Sequence, residues 1–299
     1  MPTVIELTAQ ALVDDGVIQI TPAPPPTSEP NSPTETGIPT ETHTPTSAVP
    51  EFTPTETMDM ALIDQEPLVL PYPLPVGEIQ IISPGRLSRV TSPFSIHAYL
   101  APPRSERDVD SSYQVSLYGD DGSLLVRHYY IREADQTGNT HLLMDISFEI
   151  TGAAESSRLE ISSLDGFGRI SALATMDLIL LSDGETEIKS VLDLNENLII
   201  QQPISSTLIQ GDRLIVQGLT RFAPNDQILI ELMNRDGGLV GSEVLLVSQE
   251  NLGGGYRPFE GEIPYQVGSS SWIRVQVSAK DGNFSGIQHL SSVEVLVSP

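Results

Sequence analysis

The chain has 299 residues, no cysteine and a net charge of −25, and 39% of its residues are apolar. The absence of cysteine excludes a disulfide framework and any thiolate nucleophile or metal ligand. A chain this acidic repels phosphate backbones and anionic lipid, so we expect no nucleic-acid partner and no electrostatic docking on a membrane. No apolar run approaches the ~18–20 residues that span a bilayer, and the length allows about two domains.

Residues 1–75 form the first region, in which Pro and Thr dominate and Glu recurs. Because proline fixes φ and removes backbone donors while the carboxylates repel one another, we predict a disordered tether. Loose apolar spacing predicts one short helix in it, over Ile5–Val13. Thr/Pro-rich composition is typical of exported stalks, and a tail that serves only as a spacer is the alternative.

The start of the chain lacks the basic and continuous apolar regions of a secretory signal. Either the chain follows a removed signal or lipoprotein leader, or it is not exported by that route, and the Thr/Pro-rich region favours the first option. A leader of that kind would supply a membrane tether. We therefore expect an extracytoplasmic location.

Two later regions, 76–182 and 197–299, repeat one pattern of short alternating strands. The opening IQIISP of the first region corresponds to LIIQQP of the second. The corresponding apolar rows are Phe94, Ile96 and Ala98 with Leu214, Val216 and Gly218; Tyr113, Val115 and Leu117 with Ile228, Ile230 and Leu232; and Leu159 and Ile161 with Val275 and Val277. Such self-similarity indicates a duplicated unit.

Each unit contains about seven short strands with turn signals every ~8–12 residues. Asp-Gly follows an alternating row at Asp121-Gly122 and again at Asp236-Gly237, which predicts a tight hairpin in each unit. No segment of either unit has the βαβ alternation of a parallel sheet. The pattern predicts an all-β protein with two tandem immunoglobulin-like antiparallel β-sandwiches, joined by an acidic linker at 183–196.

The second unit resembles the immunoglobulin-like domain of bacterial spore germination. The resemblance rests on the LIIQQP opening, the LIVQG strand at 214–218, the NRDGG turn, and GGGYRPFEGEIPY leading to WIRVQVSAKDG. The first unit resembles it more loosely, since Ala98 and Ser156 stand where the second unit has Gly218 and Trp272. The resemblance implies a non-catalytic, interaction-mediating module of bacterial envelope or lipoprotein-like proteins, and it implies neither functional residues nor sporulation.

Catalytic and metal motifs are absent from the sequence. The five histidines are scattered over the tether and different predicted strands, without an HExxH pattern, which indicates no shared metal site. They are His43, His97, His128, His141 and His289. No GxSxG, SxxK or P-loop occurs, and the glycines at 253–255 lack the helix and lysine of a phosphate loop. We expect no enzyme activity and no cofactor.

One strand carries the candidate binding residues. In SWIRVQV the alternate apolar residues form the inward row, which places Trp272, Arg274 and Gln276 on the opposite face. An outward aromatic beside polar donors can stack on a sugar ring or serve as a partner hot spot, with Tyr256 as a second ring. The alternative is that Trp272 covers the end of the sandwich, against Tyr256 or Phe259.

The linker concentrates carboxylates between the two units. These are Asp183, Glu185, Glu187, Asp193 and Glu196. Carboxylates at such a junction can chelate Ca²⁺, which takes six to eight oxygen ligands. The spacing matches no established calcium loop, and this favours the alternative of a solvated linker.

These observations favour a non-enzymatic, extracytoplasmic protein of the bacterial cell surface that presents two sandwiches to an envelope protein or a glycan. The first alternative is a carbohydrate- or cell-wall-binding accessory module that uses Trp272 and Tyr256 as its platform. A purely structural spacer and a cryptic hydrolase are the others.

Overall fold

The computed structural model describes residues 68–102, 112–131, 138–280 and 286–299, and within these ranges the protein is all-β, without a helix. The helix predicted at Ile5–Val13 lies outside the described residues. None of the described segments is a helix long and apolar enough to cross a membrane.

The first eight strands are β1 (Ile79–Ser83), β2 (Ser88–Thr91), β3 (Phe94–Leu100), β4 (Ser112–Tyr118), β5 (Leu124–Ile131), β6 (Thr140–Ile146), β7 (Ala154–Leu164) and β8 (Ile170–Leu181). The others are β9 (Leu198–Gln202), β10 (Leu208–Gln210), β11 (Arg213–Thr220), β12 (Gln227–Met233), β13 (Leu239–Leu246), β14 (Arg257–Pro264), β15 (Ser271–Lys280) and β16 (Ile287–Ser298).

The first sandwich is built from strands β1–β8. One sheet has the order β1-β3-β6, and the facing sheet contains β8, β7, β4 and β5, with β2 on the free edge of β8. Strands β2 and β8 run parallel, whereas the other pairs are antiparallel. The inward rows of both sheets form one apolar core that includes Ile96, Leu100, Tyr113, Leu159 and Leu178.

The second sandwich repeats this topology strand for strand. Its three-stranded sheet has the order β14-β11-β9, and its other sheet contains β13, β12, β15 and β16, with β10 parallel to β16. Its separate core includes Leu214, Val216, Ile230, Val275 and Val295. The predicted class is confirmed: both units are immunoglobulin-like sandwiches.

Each unit has eight strands, where about seven were predicted, because a proline divides the first strand. Strand β1 ends at Ser83 and is followed by Pro84, and β9 ends at Gln202 and is followed by Pro203. Proline has no N–H to donate to a ladder, so pairing stops there. The chain then crosses to the opposite sheet and forms a second short edge strand, β2 or β10.

The predicted hairpins are confirmed. Asp121-Gly122 connects β4 to β5 and Asp236-Gly237 connects β12 to β13. Gly122 and Gly237 have φ values of 79° and 78°, a region that glycine adopts without a Cβ clash.

The two sandwiches share one ten-stranded sheet, because their last strands pair with each other. Strand β2 covers only Leu178–Leu181 of β8, and β10 covers only Leu296–Ser298 of β16. The first halves of β8 and β16 therefore keep an open edge, and they pair antiparallel at Ala174 with His289 and at Leu173 with Leu290. Pairing satisfies backbone groups that an open edge leaves without partners.

The linker residues follow the first sandwich. Arg89 and Glu187 exchange backbone hydrogen bonds of 2.9 and 2.8 Å, and the Gly85 N–H donates to the Lys189 carbonyl at 3.0 Å. Farther along, the Gly77 N–H donates to the Leu194 carbonyl at 3.0 Å. The linker is thus paired into the fold, and the domain boundaries at 76, 183 and 197 stay a prediction.

Candidate functional site

The junction between the sandwiches is built around the carboxylate of Asp165, which lies in the turn between β7 and β8. Its Oδ1 accepts hydrogen bonds from the backbone N–H groups of Phe167 and Arg169, each at 2.9 Å. Its Oδ2 accepts Arg169 Nε at 2.7 Å and, from the second sandwich, Arg274 Nε at 3.2 Å. The side chain of Asp165 is 1% exposed. One turn carboxylate therefore holds a guanidinium from each sandwich.

A second carboxylate closes this network. Arg169 Nη2 donates to Glu294 Oε1 at 3.1 Å, and Arg169 Nη1 donates to the Asn234 carbonyl at 3.0 Å. Arg274 Nη1 donates to Ser292 Oγ at 2.9 Å. Two buried guanidinium groups thus face two buried carboxylates, so the charges balance.

Neutral hydrogen bonds flank the charged network. Ser292 Oγ donates to the Ser171 carbonyl at 2.6 Å, and Gln276 Nε2 donates to the Ile170 carbonyl at 2.6 Å. Each of these bonds joins the two sandwiches. Because buried polar groups are stable only when they are paired, the network disfavours other registers of β8 against β16. We infer that it fixes the relative orientation of the two sandwiches.

A cleft of about 620 Å³ opens beside the network, where the β7–β8 turn of the first sandwich meets the β12–β13 turn of the second. Its lining includes the buried Gln276 and Leu290. Phe167 also lines it and is 52% exposed. The guanidinium carbons of Arg169 and Arg235 lie 5.3 and 5.1 Å from the centroid of the Phe167 ring.

The cleft combines an aromatic ring, positive charge and an amide within a strongly acidic chain. Guanidinium groups at ~6 Å or less from a ring centroid interact favourably with its π face. Both lie beside the Phe167 ring, but only the exposed Arg235 presents free surface to a ligand, because Arg169 is buried and its nitrogens already donate to Asp165, Asn234 and Glu294. Such a surface suits a ligand with a flat apolar face and acceptor oxygens.

A second group of contacts ties the linker to the second sandwich. Tyr256 is fully buried, and its hydroxyl donates to the Glu196 carbonyl at 2.8 Å. The Glu196 carboxylate contacts Nε2 of His289. Arg221 lies 5.5 Å above the Tyr256 ring and pairs with Asp193 at 2.6 Å. Burial raises the pKa of Tyr256, and the hydrogen bond from Arg221 lowers the pKa of Asp193.

These contacts engage two of the five linker carboxylates that the calcium hypothesis requires. Asp193 is bound to Arg221, and Glu196 to His289. Within the described ranges, no group of three or more His, Asp and Glu side chains is arranged to hold a metal ion.

The four predicted binding residues occupy three different environments. Trp272 is half-buried at the start of β15, opposite Leu296. Arg274 and Gln276 lie on the face predicted for them, but the first sandwich covers that face, leaving them 2% and 5% exposed.

Tyr256 is not brought together with Trp272. It contacts Glu196, whose carboxylate contacts His289, and His289 pairs with Ala279 at the far end of β15. Ala279 lies seven residue steps along the strand from Trp272, or about 24 Å. The structure therefore does not assemble the two-ring platform, and ligand binding by these residues stays a prediction.

Sequence reasoning missed Phe167, Arg169 and Arg235, because each lies in a turn that was interpreted only as a connection. No sequence motif singles these residues out. Arg158 on β7 and Arg274 on β15 occupy equivalent positions in the two units. Arg158, however, pairs with Asp177 of its own sandwich at 3.2 Å, so the repeated arginine does not mark the junction.

The strand order defines the protein as one of tandem immunoglobulin-like β-sandwiches. Among solved structures, the chain is similar to the red sea bream transglutaminase, with 10% identity and a TM-score of 0.27 over 75% of this chain and 32% of that chain. Dimeric latent PorU from Porphyromonas gingivalis has 13% identity and a TM-score of 0.28, over 75% of this chain and 20% of PorU. The chicken CNTN1 FN1–FN3 domains have 10% identity and a TM-score of 0.22, over 72% and 69% of the two chains.

The chain thus spans about a third of the transglutaminase and a fifth of PorU. No family model matches the chain, and no curated protein matches it. The likeness to the domain of bacterial spore germination therefore rests on the sequence motifs alone.

Proposed function

We propose that this protein is a non-enzymatic interaction module of the bacterial cell envelope, in which two rigidly joined sandwiches present one binding cleft to a protein or glycan partner. The observation that carries the proposal is the exposed Phe167 ring, which lines the cleft and has the guanidinium groups of Arg169 and Arg235 against it. Exposed aromatic and arginine side chains are enriched at binding hot spots.

The position of the cleft also supports binding. It is lined by both sandwiches, so its shape depends on the buried network that joins them. Arg169 belongs to both features, since its Nε binds Asp165 while its guanidinium carbon lies beside Phe167. A ligand site whose walls are held by buried hydrogen bonds is pre-organised, which reduces the entropy lost on binding.

The extracytoplasmic location is supported by composition. The Thr/Pro-rich region that precedes the sandwiches is typical of stalks that hold a domain away from a surface. The motif resemblance of the second unit to the domain of bacterial spore germination supports a secreted or lipoprotein-like envelope protein.

Removal of the Phe167 ring or the Arg235 guanidinium is expected to weaken partner binding. The test uses the full chain against a glycan array, purified cell-wall polysaccharide and immobilised envelope proteins. Whichever of these binds the native protein, we expect Phe167→Ala and Arg235→Ala each to weaken that binding at least ~10-fold, the typical cost of losing a hot-spot contact. Dissociation constants from interferometry provide the measurement.

Tyr129→Ala is the matched control, because Tyr129 is an aromatic residue of similar exposure on β5 and does not line the cleft. Its affinity should equal that of the native protein. Full binding by a Phe167→Ala, Arg235→Ala double variant would exclude the cleft. Loss of binding in Trp272→Ala alone would instead support the carbohydrate module with its site on β15.

The shared sheet favours a purely structural spacer as the second candidate. Pairing of β8 with β16, reinforced by buried charges, is what a rod-like spacer requires. The same binding experiment separates the two candidates. A spacer should bind neither the glycan array, nor the cell-wall polysaccharide, nor the immobilised envelope proteins.

A further inference from the structure

Two of the scattered histidines meet on the outer face of the first sandwich. Strand β3 pairs with β6 so that Tyr99 is opposite His141 and His97 is opposite Leu143, which makes His97 and His141 diagonal neighbours. Nε2 of His97 lies 3.1 Å from Nδ1 of His141, and the two ring planes are within 17° of each other. The histidines are 44 positions apart in sequence, so only the strand pairing shows this contact.

We propose that His97 and His141 form a binding site for a divalent transition-metal ion of the zinc or copper class. Imidazole nitrogen binds such ions at about 2.0–2.1 Å. Two nitrogens 3.1 Å apart subtend an angle of about 98° at an ion placed at that distance from both. This angle lies between the octahedral and tetrahedral values, so both nitrogens fit the coordination sphere of one ion.

The two rings need only a small movement to bind. At present one nitrogen donates to the other, so an ion requires each ring to turn its lone pair outward. The χ2 torsion of histidine is soft and permits that rotation. The donor ring moves its proton to its other nitrogen, so both imidazoles stay neutral and no proton is released.

A third aromatic ring supports the pair. The Tyr99 ring packs edge-on against both imidazoles, with centroid distances of 5.1 Å to His97 and 4.3 Å to His141. This contact limits the rotamers of the two histidines and lowers the entropy that an ion would have to remove on binding. His141 is exposed and His97 is half-buried, so solvent reaches the site and water can complete the coordination.

The other described histidines do not share this arrangement. His128 is exposed on β5, in the other sheet, and His289 contacts Glu196. The proposed site therefore depends on the cross-strand pair of His97 and His141. His128 is an exposed histidine outside this pair, so its replacement is the matched control.

Titration of ZnCl₂ and CuCl₂ into the full chain, followed by isothermal calorimetry, tests the proposal. All proteins carry His43→Ala, so that an imidazole outside the described residues does not contribute. We expect one equivalent of each ion to bind, and either His97→Ala or His141→Ala to weaken this binding at least ~10-fold. His128→Ala should bind as the parent does. CaCl₂ should give no saturable heat at this site, because a hard cation prefers oxygen ligands.

Nitrogen hyperfine coupling in the electron paramagnetic resonance spectrum of bound Cu²⁺ is the second readout, and two imidazole nitrogens are expected. Unchanged thermal unfolding of the metal-free variants would show that they fold. Equal zinc affinity in the His97→Ala, His141→Ala double variant would overturn the proposal. Loss of binding in only one of the two single variants would overturn it too, since that result describes a single ligand and not a pair.

Discussion

Asp165→Ala is expected to lower the free energy of unfolding by about 3–5 kcal/mol, the usual cost of breaking a buried ion pair from one side. The substitution leaves the guanidinium groups of Arg169 and Arg274 buried at the junction, with the single carboxylate of Glu294 to balance them. It also removes the acceptor of two turn N–H groups. Urea unfolding at neutral pH, followed by circular dichroism, measures the loss.

Asp121→Ala is the matched control, because Asp121 also precedes a glycine in a turn of the first sandwich. Its Oδ1 accepts the Ser123 N–H at 2.8 Å, but the residue is exposed. Its urea midpoint should stay close to that of the native protein. If Asp165→Ala shifted the midpoint no more than Asp121→Ala does, the buried network would not be holding the sandwiches together.

Gly218→Ala is expected to destabilise the second sandwich by about 2–3 kcal/mol, within the range for overpacked cores. Gly218 lies in the middle of β11, between β9 and β14. A Cβ at this position would stand 2.1 Å from the carbonyl oxygen of Ile199 and 2.5 Å from Cζ of Phe259. Both contacts are far inside the van der Waals distance, so the backbone of β9 or the Phe259 ring has to move. Differential scanning calorimetry should show a lower Tm.

Gly268→Ala provides the comparison within the same sandwich, since a Cβ there meets no heavy atom within 4 Å. Its Tm should match that of the native protein. A Gly218→Ala variant with native Tm would mean that β11 has room for a methyl group. The first sandwich already carries alanine at the corresponding position, Ala98.

The interior of each sandwich could be predicted because its signals are local. Alternation along β3 and β11 gives the inward rows, and Asp-Gly fixes the hairpins at Gly122 and Gly237. The sequence predicted about seven strands in each unit, and the structure has eight. The short strands β2 and β10 follow a proline and have no long apolar row of their own.

The junction could not be predicted, because its residues have the same pattern as solvated ones. Arg274 and Gln276 alternate with the inward row of β15, which is also the pattern of a water-facing strand. Only the pairing of β8 with β16 buries them. Asp165 precedes a glycine, as a turn former does, and it caps its own turn while it also binds Arg274.

The candidate sites depend on contacts between residues distant in sequence. At the cleft, the guanidinium carbon of Arg235 lies 5.1 Å from the centroid of the Phe167 ring. The proposed metal site joins strands β3 and β6 of one sheet. No local pattern identifies either contact, because each follows from strand order and register. The sequence does indicate which residue types are available, and the fold decides which of them meet.

Residual dipolar couplings of backbone amides in both sandwiches provide the most direct test of whether the buried network holds them as one rigid body. The account predicts that a single alignment tensor fits the amides of β1–β8 and of β9–β16 in the native protein. In Asp165→Ala the two sets should require separate tensors. Separate tensors of different magnitude in the native protein would contradict the account, because they would show that the sandwiches reorient independently despite the paired strands and buried charges between them.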